Sequence, residues 1–152
     1  MRVFTEVHLR KIKDKLDLLE RYHNELVEDL PDYSDFVEER LKRRGIEKTI
    51  ELIADGIVDV LMILISVKGL EKPKEAAETA RILAIHKVLS SSLAVKIQNL
   101  IRFRNLLVHQ YAKVDDVKEY AVLAENHNDI IEFISAIEQF LKKEFVDLKK
   151  KV

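Results

Sequence analysis

The chain has 152 residues, enough for one ordinary domain with a core of its own. Three Gly, two Pro and no Cys argue against a strand-rich fold with many tight turns and exclude disulfides and thiolate metal sites. Charged residues make up 35% of the sequence but nearly cancel, to a formal net charge of -1, so any contact with nucleic acid must be a local patch rather than a global basic field.

Residues 1–15 interleave charges with apolar side chains and lack the continuous apolar core of a signal peptide, so a cytoplasmic protein is expected. Apolar residues at three-and-four spacing over residues 3–28, among them Val7, Ile12, Leu16, Leu19 and Leu26, predict a first amphipathic helix. Pro31 ends it, and Asp32 or Ser34 is placed to cap the next. A second, long helix is expected over 33–67, with a possible break or kink near Gly45 and an exit at Lys68-Gly69. Its first half is charged, with Arg40, Lys42, Arg43, Arg44 and Lys48 among Glu38, Glu39, Glu47 and Glu51. This is the pattern of a solvated, ion-paired helix face, with phosphate binding as the alternative. Its second half, residues 57–65, is apolar nearly all round. It reads either as a central core helix or as one covered on its far side by a second copy. The run to Val67 is too short for the ~20 residues of a membrane span.

Pro73 precedes a third helix expected over 74–89, and Ser90-Ser91-Ser92 offers a cap for a fourth that ends near Ala112. Asp115 or Asp116 starts the last, reaching about Leu148, with a lysine-rich end suited to the negative end of the helix dipole. The expected fold is therefore all-α, an antiparallel bundle of about five helices in a single domain over 1–152.

One stretch of the fourth helix carries unusual chemistry: Arg104-Asn-Leu-Leu-Val-His109-Gln-Tyr111. It sets a guanidinium, an amide, an imidazole and a phenol within eight residues. Asn105 and His109 are four apart and share a helix face, so the amide can reach the imidazole. Arg104 and His109 are five apart and do not stack, so a phosphate held between them calls for a site completed by another helix or subunit. These groups suit phosphodiester cleavage without a metal. A histidine titrates near neutral pH and can take the proton of an RNA 2′-OH, while an arginine fork holds the phosphate oxygens. Arg102 and Lys113 flank the motif as candidate substrate contacts. Each residue also has a plainer structural reading: a solvated Arg104, a core His109 and a Tyr111 packed on the last helix.

The spacing of Arg, four residues, His, one residue, Tyr, with Asn after the Arg, resembles the motif of the HEPN superfamily in its HepT-type toxin branch, and the helix order resembles it over essentially the whole chain. The resemblance implies a homodimeric, metal-independent endoribonuclease toxin with no cofactor of its own. Arg104 and His109 would be its catalytic pair and Asn105 would position them. It also implies a partner, an MntA-like nucleotidyltransferase antitoxin that uses ATP to add AMP to Tyr111. The alternatives are a non-catalytic module that docks a nucleotidyltransferase or holds a nucleotide, and a purely structural dimerising bundle. Among the remaining candidates, Glu20 and His23 have di-iron spacing, but no second copy of it exists. His127 reads as a surface residue.

Overall fold

The computed structural model describes residues 4–109 and 114–150, with side chains as far as 144. Thr5 opens α1 (Glu6–Asp29) with a capping box. Its hydroxyl accepts from the His8 amide, and the His8 ring accepts from the Thr5 amide at 3.1 Å. Asp32 caps the short α2 (Tyr33–Glu38), accepting the Asp35 amide at 2.9 Å. Then α3 (Arg40–Lys68) runs to Gly69, whose φ of 64° places it in the left-handed region. There the Leu70 amide reaches back to the Ile65 carbonyl at 3.0 Å and the Gly69 amide to Ser66 at 3.2 Å, a glycine-terminated Schellman cap. α4 (Glu78–Ile85) is followed by α5 (Ser91–His109), whose first turn is held by Ser90 Oγ accepting the Leu93 amide at 3.1 Å. Asp115 caps α6 (Asp116–Asn126) through the amides of Val117 and Lys118, and α7 (Asn128–Lys150) closes the fold.

All elements among the described residues are helices, and α1 runs antiparallel to both α3 and α7. Lys15 meets Asp59 at 3.1 Å while Leu19, one turn further along α1, lies over Gly56, one turn earlier on α3. On the other side His23 meets His127, whereas Leu9 and Leu16, earlier on α1, face Leu141, later on α7. α3 is the centre, touching α1, α2, α4 and α5. Its stripe of Ile46, Ile50, Ile53, Ile57, Leu61 and Leu64 is almost wholly excluded from water. Burial of each such side chain stabilises the fold by ~1.5–3 kcal/mol before chain entropy is charged against it.

Three sequence expectations need correction. The long second helix is divided, at Glu39 rather than near Gly45, because Phe36 turns inward. Its ring is fully buried, 5.3 Å from the Tyr120 ring and 4.7 Å beneath the Arg43 guanidinium, and a straight helix would not deliver it there. The third helix spans only Glu78–Ile85. On its N-terminal side the chain makes three-residue turns, with the Lys74 amide held by the Glu78 carboxylate at 2.7 Å, and on its C-terminal side Lys87 takes a positive φ of 60°. The last helix is interrupted at His127, so that α6 lies on α2 and α7 while α7 lies on α1 and α5. Within the apolar run 57–65 Asp59 and Met62 are exposed and the other side chains are buried or half-buried, so its own chain supplies most of the cover and the central-helix reading holds there. No helix among the described residues is long and apolar enough to cross a membrane.

Candidate active site

The motif occupies the end of α5, where that helix leaves the core. Leu93, Ile97, Leu100, Ile101 and Phe103 are buried, and beyond Phe103 no residue of the helix is fully covered. Arg104 and Asn105 are half-buried and His109 is exposed. The same helix thus anchors its first four turns in apolar contacts and presents its last turn to solvent.

Arg104 is held from two sides. Its Nη1 donates to Asn105 Oδ1 at 3.1 Å, and its Nε lies 3.2 Å from Asp55 Oδ1 on α3. The Nε–H is not aimed along that line, so the second contact is ionic rather than a hydrogen bond. Asp55, Asp59, Arg104 and Asn105 line a cleft of about 460 Å³ between α3 and α5, whose walls are kept low by Ala54 and Ala76. Asp59 is neutralised by Lys15 from α1. The cleft is therefore close to charge-balanced, with the outer edge of one guanidinium as its open donor.

The expected Asn105–His109 contact is not made among the described residues: the amide oxygen turns to Arg104. The wider separation read from the helix wheel is realised, because His109 projects into solvent while Arg104 is held against α3. Arg102 is exposed and borders a neighbouring cleft of about 400 Å³ with Lys74, Arg81 and Gln98. Tyr111 and Lys113 lie outside the described residues.

Three of the five basic residues at the charged start of α3 are ion-paired. Lys42 pairs with Glu39 and Lys48 with Glu51, and Arg43 reaches across to α6. Arg43 gives Nε and Nη2 to the same oxygen of Glu119, at 2.8 and 2.6 Å, and Nη1 to Asp116 at 2.8 Å. Glu119 is 1% exposed. Burial, joined by the Glu47 carboxylate beside it, pushes its carboxyl up to about 7 against the pull of Arg43.

His127 is a half-buried partner of His23, Nδ1 to Nε2 at 3.0 Å, rather than a surface residue. Among the described residues no cluster of three potential ligands could hold a metal ion. Asp55, Glu119 and the histidine pair escaped sequence reasoning. An acidic residue one turn before Asp59 beside an apolar run was the only signal for Asp55, and it did not point to α5.

Three comparisons bear on this arrangement. The model of the HepT-like ribonuclease family matches residues 11–137. A chain of the tri-AMPylated Shewanella oneidensis HEPN toxin, solved in complex with its MNT antitoxin, superposes with a TM-score of 0.80 at 16% identity, covering 90% of this chain and 99% of that one. YutE of Bacillus subtilis, described as a cytosolic protein of unknown function, superposes with a TM-score of 0.76 at 20% identity, covering 89% and 91%. No curated protein matches the chain significantly by sequence.

Proposed function

Because this chain belongs to the HepT-like ribonuclease family, we propose that it is an endoribonuclease toxin that cleaves RNA without a metal ion, at a cleft completed by a second copy of the chain. The observation that carries this reading is the pairing of an anchored guanidinium, open at its outer edge, with an exposed imidazole on the last turns of one helix. His109 takes the proton of a ribose 2′-OH. The 2′ oxygen forms a bond to the adjacent phosphorus, the bond from phosphorus to the 5′ oxygen breaks, and a second proton goes to that leaving oxygen, supplied by His109 of the other copy. Arg104 holds the non-bridging oxygens as negative charge gathers on them, and Asn105 steadies Arg104.

The second copy finds support on α5. Val95, Asn99, Arg102, Leu106 and His109 recur at four-and-three spacing and are all exposed, with Val95 and Leu106 at 54% and 40%. An exposed stripe that joins two large apolar side chains to the imidazole itself is a suitable seam for bringing two histidines to one cleft. Arg102, on the same stripe, and Lys113 would contact the RNA backbone.

The regulatory partner follows the relatives. The Shewanella toxin was solved AMP-modified and with an MNT antitoxin, and the reading for this chain is that a nucleotidyltransferase transfers AMP from ATP to the Tyr111 phenol, releasing pyrophosphate and obstructing RNA two residues from His109.

His109→Ala and Arg104→Ala, compared with the parent on cellular RNA in EDTA, test the reading. Each is expected to lower the cleavage rate by at least about 100-fold with an unchanged circular dichroism spectrum, since neither side chain is core. Undiminished cleavage by the His109 variant would sink it.

A further inference from the structure

Resting on the phosphate-binding role of Arg104, we propose that Asp55 is the positioning residue of that site: its carboxylate on α3 holds the inner edge of the guanidinium so that the outer edge meets the scissile phosphate.

Arginine carries five N–H donors in one plane, and it clamps a phosphate only if that plane is correctly turned. A long, flexible stem does not turn it by itself. Here two tethers do so, Asp55 at Nε and Asn105 at Nη1. The remaining N–H groups, both on Nη2 and the second on Nη1, meet no acceptor among the described residues and are left to donate to a ligand. Asn105 sits next to Arg104 on the same helix and moves with it. Among the described residues Asp55 alone ties the guanidinium to a different helix, and that helix is the buried centre of the bundle. The fixed reference for the clamp is therefore α3.

Neighbouring carboxylates do not compete for the task. Asp59, one turn along α3 in the same cleft, is engaged by Lys15 at 3.1 Å. Nor is the pair there for stability. Asp55 is 48% exposed, and half-exposed ion pairs contribute little to folding. An uncompensated acid in a phosphate-binding cleft would be a liability through repulsion of RNA, so its presence against the arginine fits aim rather than attraction. The buried Nε–H that lacks a true hydrogen bond is consistent with a contact that completes when substrate draws the guanidinium forward.

Asp55→Ala, Asp55→Asn and Asp55→Glu separate positioning from bulk effects. In steady-state cleavage of a short RNA, the Ala and Asn variants are expected to lose about 10- to 100-fold in kcat, the cost of a misaimed clamp, with KM unchanged or lower because an anion has left the cleft. Glu, which keeps the charge and has room beside Ala54 and Ala76, is expected to stay within about 5-fold of the parent. A merely structural residue would move the melting temperature and leave kcat per folded molecule alone. Parent-like kcat in Asp55→Ala, a rise in KM alone, or Glu as impaired as Ala would each overturn the proposal.

A second readout does not require cleavage: the ¹⁵N–¹H signal of Arg104 Nε, assigned by its loss in Arg104→Lys. Slow solvent exchange of that proton in the parent and in Asp55→Glu, and rapid exchange in Asp55→Ala, is the expected result. Equal exchange in all three overturns the positioning role. If the parent cuts no RNA, the ribonuclease reading fails, while this signal still decides whether Asp55 fixes Arg104.

Discussion

At Glu119 a carboxylate with 1% exposure accepts two donors from Arg43 through one oxygen, while its other oxygen has no donor. A proton on Glu119 would supply what that second oxygen lacks opposite Glu47, which is the physical sense of a carboxyl held up to about 7. Its folded value lies above its unfolded one, so the native state binds the extra proton. The resulting stability is fully present below about pH 4.5 and is lost as pH rises through about 7. His23 works in the opposite direction. Burial first, and the facing His127 second, hold its imidazole below the ordinary 6.5, so its contribution is intact above that value and is lost as pH falls. Urea denaturation from pH 5 to 8 separates the two. Glu119→Gln is expected to remove the alkaline loss and leave the acidic one, and a Gln variant with the parent's full alkaline slope would contradict the assignment. Neither pairing was visible in the sequence. His23 and His127 are 104 positions apart and Arg43 and Glu119 are 76 apart, and only the folded packing of α1, α3, α6 and α7 joins them.

Among the elements, α3 shows most clearly what a sequence pattern conveys and what it leaves out. Its apolar period, its glycine exit and the neighbouring caps, narrowed to Asp32 or Ser34, to the serines 90–92 and to Asp115 or Asp116, were legible because each depends on residues close in sequence. The divisions at Glu39 and His127 were not, because Phe36 and His127 turn toward groups from distant parts of the chain. The two glycines inside the helix make the same contrast. Gly45 looked like the weak point, yet the helix runs through it and a Cβ there would meet open space. At Gly56 a Cβ would come within 2.9 Å of Leu19 Cδ2, and Leu19, 1% exposed, has nowhere to move. Gly45→Ala is therefore expected to stabilise by roughly 0.5–1 kcal/mol. Gly56→Ala should destabilise by about 1–2 kcal/mol as overpacking exceeds the gain in helix propensity. Urea midpoints of the two variants decide it, and two equal gains would show that α1 can draw back.

For the molecule as a whole, the bundle serves to bring the end of α5 out of a rigid core beside α3. Arg104, Asn105 and His109 could be picked out of the sequence because they lie within six residues of one another. Asp55 could not, since its relation to Arg104 exists only across the α3–α5 cleft. In the proposed reading a second copy meets the outward-projecting His109, and Leu106 lies on the same exposed stripe. Leu106→Glu would place two like charges across such a seam. It is expected to yield monomers by analytical ultracentrifugation and to lower RNA cleavage by at least about 10-fold while the helical spectrum persists. An active Leu106→Glu monomer would place the whole site within one chain.

The central claim is phosphoryl transfer through the ribose 2′-OH at His109. The most direct measurement is the chemistry of the ends left on a defined RNA oligonucleotide cut in EDTA by the parent, with His109→Ala alongside. The account predicts 2′,3′-cyclic phosphate and 5′-hydroxyl ends from the parent, no cutting by the variant, and no cutting of the same oligonucleotide with a 2′-deoxy residue at the cleavage position. Products ending in 3′-hydroxyl and 5′-phosphate, or cleavage that survives loss of His109, would contradict it.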